Sequence, residues 1–572
     1  MPRKRQWFPD AFLLGGRALQ NLLRQQPRDL GFAWLHLHAD LPEVRPRPPF
    51  WATILQPSRE GLPRDLQGLR AALDRLAADP RVRGVVVELA DLRTGPATLW
   101  ALRQEFVRLQ HAGKDVVAYL PGGGTWDYHL ASGARALVVP EGATLNAVGL
   151  RLEALFLGDF LASLGLQADL EAVGRYKASP ELLTRSTISP AHQEMLESLL
   201  EALYTELVVE MAEGRRMTRP QMEEALDANP LTADEALRMG LVDACLPPRA
   251  VGKWLAGEGG EEPPIRPWEE MQRALRHRLR WRAAQRIGLI PIQGTLVLGE
   301  SRDTPWPLLF AQNWVGHETV ARRLRQAAKD QRIGAVILLI NSPGGAALAA
   351  DLLWEEVRRL GEKKPVVACL QDQATSGGYY VATAGQAIVA QPVTLTGSIG
   401  IFGGKVVDAG LLQRLGVGRY TASQGRRAGI YASSAPFRPD ERERLRTLLE
   451  EGYRRFTMRV AEGRNLSPQQ VEERAQGRIW TGRQALELGL VDELGGLREA
   501  VQRAAELAGF PASLEPEVVL IRPKRPFGLP LGLWSAGEGL GAVADLYACV
   551  ERLFAGRILA LCPWWFRLEG AG

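Results

Sequence analysis

The stretch RIGAVILLINSPGG (332–345) is a run of strand-forming residues that ends in a proline and two glycines. The same pattern occurs about 250 residues earlier, in RVRGVVVELADLRTG (81–95). A period this long indicates two duplicated domains rather than a solenoid of small units. Other segments keep the same offset: KDVVAYL (114–120) with KPVVACL (364–370), MAEGRRMTRPQMEEAL (211–226) with VAEGRNLSPQQVEERA (460–475), and TADEALRMGLVD (232–243) with TGRQALELGLVD (481–492).

Both halves alternate amphipathic and β-branched segments, which predicts an α/β fold. The expected elements are helices 67–78 and 318–329, strands 84–89 and 334–340, helices 97–110 and 346–360, strands 115–120 and 365–370, short helices 127–134 and 377–385, and long helices 190–213 and 438–461. The predicted organisation is an N-terminal basic, amphipathic segment (1–49), a first repeat (50–250), a linker and basic helix (251–285), a second repeat (286–515) and an apolar C-terminal tail (516–572).

Composition and motif content argue against nucleic-acid binding, metal or cofactor binding, and a membrane-spanning helix. The net charge is only +5, and basic residues do not form an aromatic-interleaved stripe, so nucleic-acid binding is not expected. Neither metal-ligand spacing nor a phosphate loop is present, so no cofactor or metal is expected; His36 and His38 are the only close histidine pair. No run of 18 or more uncharged apolar residues predicts a spanning helix. Segment 1–49 either lies on an anionic membrane surface or packs on its own domain.

The motif ATSGGYY (374–380) follows a predicted strand and opens a helix. A serine at such a position, here Ser376, can act as a nucleophile, and the Gly377 N–H can face a substrate. A plain helix N-cap is the alternative. NSPGG ends the preceding strand, and the N–H groups of Gly344 and Gly345 can stabilise a developing oxyanion, although a plain turn fits as well.

A nucleophilic serine needs a base, yet no histidine follows Ser376. Lysine serves in Ser–Lys variants. The first repeat reads GRYKAS (174–179) where the second reads GRYTAS (418–423), so only the first repeat keeps Lys177. To act near neutral pH, its pKa must fall from about 10.4 towards about 7, which requires roughly 4–5 kcal/mol of desolvation. A surface charge is the alternative.

Three further residues bear on this site. Ser398 in TGSIG (396–400) can orient the lysine amine, or it can belong to a structural turn. Lys405 competes with Lys177 for the role of base, but it precedes Asp408 and is predicted to be a surface lysine. Thr125 aligns near Ser376, lacks the following glycines and is expected to be inert.

Together, NSPGG, ATSGGYY, TGSIG and GRYK resemble the SppA-type signal peptide peptidases in their long, duplicated form, over roughly residues 50–515. The resemblance implies a tandem repeat of two ClpP/crotonase-like domains with helical extensions. It implies Ser376 from the second repeat as nucleophile, Lys177 from the first as base, and Ser398 as a helper. Main-chain donors would come from Gly377 and the NSPGG glycines.

The resemblance also implies a homotetramer that cleaves short hydrophobic peptides such as released signal peptides. A peripheral membrane location is expected, with a cytoplasmic peptidase of other peptides as an alternative. A crotonase-like acyl-CoA enzyme would share the oxyanion glycines but use a carboxylate base. A non-catalytic scaffold would have neither activity.

Overall fold

The computed structural model describes residues 15–18, 20–21, 28–44, 63, 65–276, 285–301, 313–511, 516–522 and 559–561. The chain groups into two compact units. Unit 1 comprises Met1–Leu152, Ala202–Arg282 and Leu568–Gly572, and unit 2 comprises Glu153–Glu201 and Ala283–Arg567. An internal stretch of the first repeat, residues 153–201, therefore belongs to the unit that holds the second repeat.

Unit 1 contains a sheet of six parallel strands in the order β10-β1-β2-β3-β5-β9. A separate three-stranded sheet has the order β4-β6-β8. The strands of unit 1 are β1 (Gly31–Ala39), β2 (Val82–Leu92), β3 (Asp115–Tyr119), β4 (Gly123–Gly124), β5 (Ala136–Val139), β6 (Thr144–Asn146), β8 (Leu231–Thr232), β9 (Ala244–Cys245) and β10 (Ile265–Pro267). Its helices are Leu66–Ala78, Pro96–His111, Thr125–Ser132, Arg219–Asp227, Ala233–Arg238, Val251–Ala256 and Trp268–Ala274, with a 3-10 turn at Pro248–Ala250. Helix Pro190–Arg215 begins in unit 2 and ends in unit 1.

Unit 2 contains a larger sheet in the order β20-β18-β16-β14-β11-β22, from which β17 branches between β16 and β21. A second sheet has the order β13-β12-β15-β23-β19-β7. The strands are β7 (Gln167–Val173), β11 (Arg286–Gln293), β12 (Thr295–Val297), β13 (Trp314–Gly316), β14 (Ile333–Ser342), β15 (Gly344–Ala346), β16 (Val366–Thr375), β17 (Ala387–Ala390), β18 (Leu395–Gly397), β19 (Ile401–Val407), β20 (Ile479–Thr481), β21 (Glu493–Leu494), β22 (Glu517–Leu520) and β23 (Leu559–Leu561). The helices are Gly158–Ser163, Glu181–Thr184, His317–Lys329, Ala347–Gly361, Gly377–Ala382, Ala409–Arg414, Pro439–Arg464, Pro468–Arg474, Gly482–Glu487 and Leu497–Leu507.

The predicted α/β repeat is confirmed, and its cause is visible in the burial pattern. The central strand β14 buries almost every residue, as expected for a parallel strand covered on both faces. Equivalent buried tyrosines mark the duplication. Tyr128 donates a hydrogen bond to the Leu241 carbonyl at 3.0 Å, and Tyr379 donates one to the Leu490 carbonyl at 2.8 Å.

Strand β7 explains how the first repeat reaches the second. It pairs antiparallel with β19 from Gln167 opposite Val407 to Val173 opposite Ile401. This continuous backbone ladder places the following GRYK motif inside unit 2. The pairing is thus the structural step that brings a lysine of one repeat to a serine of the other.

Several sequence predictions concern segments at the edges of the repeats. Ile265–Pro267, within the stretch predicted to be a linker, forms β10 and pairs with Phe32–Trp34 of β1. Most of segment 1–49 and of tail 516–572 lies outside the described residues; the strands described there are β1, β22 and β23. Among the residues that the structure describes, no helix has the length and apolar character needed to cross a membrane.

Candidate functional site

Ser376 lies at a sharp turn between β16 and helix Gly377–Ala382 and is fully buried. Its backbone has φ 54° and ψ −115°, a conformation that residues with a Cβ rarely adopt and that costs about 1–3 kcal/mol. Two hydrogen bonds fix the turn: the Ser376 N–H donates to the Gly397 carbonyl, and the Tyr380 N–H donates to the Ser376 carbonyl, both at 2.8 Å. The side chain makes no capping hydrogen bond to the helix, so the N-cap alternative does not account for it.

The Lys177 amine lies 2.8 Å from Ser376 Oγ. It also lies 3.0 Å from Ser398 Oγ and 3.1 Å from the Ser398 carbonyl oxygen. All three side chains are buried, with Lys177 only 3% exposed. The structure therefore brings together the three side chains that the sequence predicted, and it does so within one unit of one chain.

Two glycines make room for the lysine stem. A methyl group added at Gly477 would lie 2.5 Å from the Lys177 amide nitrogen and 2.7 Å from its Cβ. One added at Gly400 would lie 3.1 Å from the Lys177 Cδ. The sequence reasoning missed Gly477. A signal existed, because the shared offset of the flanking segments aligns Gly477 with Ala228 of the first repeat, which has no lysine to receive.

Arg478 ties the lysine segment to the Ser398 turn. Its guanidinium lies 4.8 Å from the Tyr176 ring centroid and 4.7 Å from that of Trp480, within cation–π range. It also pairs with Glu194 at 2.8 Å, and its carbonyl accepts a hydrogen bond from the Ser398 N–H at 2.7 Å. The hydrogen bond from Tyr176, and to a smaller extent that from Arg478, holds the pKa of the Glu194 carboxyl below its usual range. None of these residues was singled out from the sequence.

The NSPGG loop packs against the start of the serine-bearing helix. A Cβ at Gly378 would lie 2.8 Å from the Ser342 carbonyl oxygen. Gly344 has φ 99°, in the left-handed region that favours glycine, and its N–H donates to Ser342 Oγ at 3.2 Å. Gly345 pairs with Leu296 of β12. Gly377 is the first residue of its helix, where an N–H has no intrahelical acceptor.

Thr125 is the residue of unit 1 that aligns near Ser376, and its hydroxyl group is engaged in hydrogen bonds. Thr125 is fully buried, and its hydroxyl donates to the Gly149 carbonyl at 2.7 Å and accepts from the Gly149 N–H at 3.1 Å. By sequence register, Val148 stands where the second repeat has Ser398. The first repeat therefore has no hydroxyl at the position of Ser398, and its Thr125 hydroxyl is engaged by Gly149.

Lys405 is not the surface lysine that the sequence predicted. It is 4% exposed, and its amine lies 4.3 Å from the centroid of the Phe437 ring. Burial lowers the pKa of this amine, while Glu441 and Asp169 raise it. The prediction failed because Lys405 lies on β19, which β7 covers along its whole length. The amine within hydrogen-bond distance of Ser376 is that of Lys177.

In the described parts of the chain, no group of three or more His, Cys, Asp or Glu side chains is placed to hold a metal ion. His36 Nδ1 instead lies 2.8 Å from a carboxylate oxygen of Glu88.

Comparison with known proteins covers both repeats. The model of peptidase family S49 matches residues 108–257 and 358–510. The chloroplastic serine protease SPPA of Arabidopsis thaliana is 30% identical over 454 residues, which are 79% of this chain and 67% of that protein. Protease 4 of Haemophilus influenzae is 30% identical over 457 residues, 76% of this chain and 72% of that protein. A putative signal peptide peptidase SppA of Enterococcus faecium is 32% identical over 206 residues, 36% of this chain and 60% of that protein.

Among solved structures, the membrane-bound stomatin-specific protease 1510-N matches 42% of this chain and 100% of its own, with 15% identity and a TM-score of 0.26. The family model and the two relatives of similar extent are the stronger findings, since they cover both halves and include the segments that carry Lys177 and Ser376. The chain therefore belongs to peptidase family S49, and it is a serine protease built from a tandem pair of that family's domains.

Proposed function

We propose that this protease uses a Ser–Lys dyad in which Ser376 is the nucleophile and Lys177 is the general base. The observation that carries the proposal is the 2.8 Å separation of the two side chains in a buried site. Lys177 takes the hydroxyl proton as Ser376 attacks the peptide carbonyl, and then gives that proton to the leaving amine. Water hydrolyses the acyl-enzyme by the same route.

The contacts of Lys177 suit an uncharged amine. A neutral amine has two N–H donors and one lone pair. The donors can serve the hydroxyl and carbonyl oxygens of Ser398, and the lone pair can then accept the proton of Ser376. Burial favours this form, because removal from water disfavours the charged state of an amine. Ser398 is thereby the residue that orients the base.

The developing oxyanion is stabilised by the Gly377 N–H and by one N–H of the NSPGG loop. The Gly344 N–H already donates to Ser342 Oγ, whose own proton goes to the Gly294 carbonyl at 2.6 Å. Because this N–H is used within the loop, it can serve the oxyanion only by leaving Ser342 Oγ, whereas preorganised donors are worth a few kcal/mol each. Gly345 is the alternative donor.

The substrates we propose are short apolar peptides, with released signal peptides as the named example. The printed name of the Enterococcus faecium relative supports this class. The sequence after Ser398 is in keeping with this class, because Ile399 and Ile401 are buried aliphatic residues. A general peptidase without this preference is the alternative, and comparison of apolar and charged fluorogenic peptides separates the two.

An active-site label tests the nucleophile directly. A fluorophosphonate is expected to modify Ser376 in the native protein, identified by peptide mass spectrometry, and to leave Ser376→Ala unlabelled. Thr125→Ala is the matched control and is expected to label like the native chain, because the Thr125 hydroxyl is held by Gly149. Peptide turnover without labelling at Ser376 would contradict the dyad and favour a carboxylate base.

We also propose that the protein forms a homotetramer. Within unit 2, GRYTAS belongs to a stretch, 413–429, in which every residue is exposed. Its counterpart in the first repeat, GRYKAS, is docked in unit 2. Large apolar side chains are exposed around the same stretch: Leu155 (69%), Phe160 (57%), Leu415 (65%), Val417 (50%) and Tyr420 (93%). An exposed copy of a docking segment, with exposed apolar side chains around it, suits association with another chain.

Light scattering checks the assembly. Tyr420→Asp combined with Leu415→Asp is expected to lower the measured mass of the native assembly to that of a smaller species, because a charge would be buried at the contact. Leu507→Asp, at an exposed leucine elsewhere in unit 2, is the control and should leave the mass unchanged. Retention of the full assembly by the double variant would exclude this face from the contact.

Peripheral membrane association is the proposed location, through the basic segment 1–49. The full chain is expected to co-sediment with anionic lipid vesicles, and Arg3→Glu, Lys4→Glu and Arg5→Glu together should weaken that binding about tenfold or more. Zwitterionic vesicles are the control. Equal binding of both forms to both vesicles would favour the cytoplasmic alternative.

A further inference from the structure

A cavity of about 130 Å³ is lined by helices His317–Lys329 and Ala347–Gly361 of unit 2 and the turn that follows them. Its apolar part is formed by Leu324, Ala328 and Leu360. A single water molecule needs only about 10–15 Å³, so the cavity has room for a larger polar group. None of its lining residues belongs to the candidate catalytic site. Its charged part consists of four cations and one carboxylate: Arg325, Lys329, Arg359, Lys363 and Glu356.

The charges around this cavity are unbalanced. Glu356 forms ion pairs with Arg325 at 2.5 Å and with Arg359 at 3.2 Å, so that one carboxylate serves two guanidinium groups. Lys329 and Lys363 are exposed, and among the described residues neither amine forms an ion pair. Two ammonium groups at the rim are therefore available to a bound anion.

The usual role of lysines at helix C-termini does not account for these two. Lysine often binds the last carbonyl oxygens of a helix and complements its dipole. Lys364 already does so at the end of helix His317–Lys329, where its amine donates to two carbonyl oxygens at 2.7 Å and 2.6 Å. Lys114 makes the corresponding contacts in unit 1 at 2.9 Å and 2.7 Å. This capping requires neither Lys329 nor Lys363.

The first repeat has the same pair of helices without the excess positive charge. By sequence register, Glu356 and Arg359 correspond to Glu105 and Arg108. Arg108 binds two carboxylates there, at 2.8 Å and 2.9 Å. The packing of the two helices therefore does not need the additional cations. Those three cations of the second repeat stand where the first repeat has acidic or uncharged residues, namely Asp74, Ala78 and Gly113.

We propose that this cavity binds a phosphate group, carried either by an anionic phospholipid headgroup or by a soluble phosphate ester. A phosphate monoester carries about two negative charges near neutral pH, which matches the two unpaired ammonium groups. Lysine binds phosphate as a point charge, and the guanidinium groups of Arg325 and Arg359 can add forked hydrogen bonds. The apolar side chains of the cavity can contact the carbon stem of the ester. This site is independent of the proposed catalytic dyad.

Calorimetric titration with glycerol phosphate at constant ionic strength tests the soluble source. The pocket variant Lys329→Glu/Lys363→Glu is expected to bind the ester at least tenfold more weakly than the native chain, because two charge-assisted contacts are lost. The control variant Lys253→Glu/Arg444→Glu makes the same change in net charge at two exposed positions outside the cavity, and it should bind like the native chain. Lys329→Ala/Lys363→Ala repeats the comparison without charge reversal if the pocket variant unfolds at a lower temperature.

Co-sedimentation with vesicles tests the lipid source. All proteins in this arm carry the changes Arg3→Glu, Lys4→Glu and Arg5→Glu, so that the N-terminal segment does not mask the cavity. With vesicles of phosphatidic acid in phosphatidylcholine, the pocket variant is expected to bind at least tenfold more weakly than the control variant, and pure phosphatidylcholine should bind neither.

The two arms identify the carrier of the phosphate. A difference between the pocket and control variants in calorimetry shows that a soluble ester suffices, and a difference in co-sedimentation alone assigns the lipid headgroup. Equal binding of the two variants in both arms, or no binding by the native cavity in either arm, overturns the proposal.

Discussion

Lys177→Met and Ser376→Ala are each expected to lower kcat for peptide hydrolysis by about 10³-fold or more, and the double variant should be no worse than either. Non-additivity is expected because the two side chains act as one unit, in which neither the nucleophile nor the base works alone. Methionine keeps the buried stem of Lys177 and removes only the amine. Lys177→Arg should be equally inactive, since a guanidinium cannot take a proton.

Lys405→Met is the matched control. It removes the buried amine of Lys405 on β19, the strand that pairs with β7, and that amine contacts the Phe437 ring rather than Ser376. Its kcat is expected to stay within a few-fold of the native value. Loss of activity in Lys405→Met with full activity in Lys177→Met would assign the base to Lys405 and refute the dyad. Thermal unfolding of all variants separates chemistry from folding, and Lys177→Met should be at least as stable as the native chain, because it removes a buried amine.

The pH profile gives an independent reading of the same variants. The base must be uncharged to accept the proton of Ser376, so kcat/KM is expected to rise with pH and to fall as acid protonates the amine. Ser398→Ala removes an oxygen that lies 3.0 Å from the Lys177 amine, and it should shift this profile as well as lower the maximum rate. A profile that Ser398→Ala lowers uniformly without any shift would mean that Ser398 supports the fold and not the base.

More of the candidate catalytic site than of its surroundings could be predicted from the sequence. Lys177 and Ser376 could be predicted because duplication supplied an internal comparison, and each repeat had lost what the other kept. The main helices and strands followed from periodicity, as in Leu66–Ala78, where buried leucines recur at helical spacing.

What the sequence did not supply are features fixed by long-range backbone contacts. β10 and β23 are three-residue strands held by pairing to distant segments, so their own residues carry no periodic signal. Lys405 was misassigned because its burial depends on β7, more than 200 residues away in sequence. Gly477 is the most informative of the missed residues. It must lack a side chain because Lys177 packs directly against it, and that contact is not visible in the sequence.

Gly477→Ala is expected to lower kcat/KM by about 100-fold or more, although it adds only a methyl group and lies outside every recognised motif. The added carbon would lie 2.5 Å from the Lys177 amide nitrogen and 2.6 Å from its Cα, so the lysine backbone must move. A displacement of about 1 Å in a catalytic group can cost about 10²-fold in rate. Because backbone atoms are involved, a change of rotamer cannot relieve the contact.

The chain offers a control for the strain that alanine itself introduces. Gly477 has φ +78° and Gly489 has φ +69°, so alanine at either site costs a similar 1 kcal/mol or more of folding free energy. A methyl group at Gly489 meets no atom within 4 Å. Gly489→Ala should therefore lose stability and keep activity, whereas Gly477→Ala should lose both. If the two variants were equally active at equal thermal stability, the lysine could not pass over Gly477, and the arrangement of Lys177 beside Ser376 would have to be abandoned.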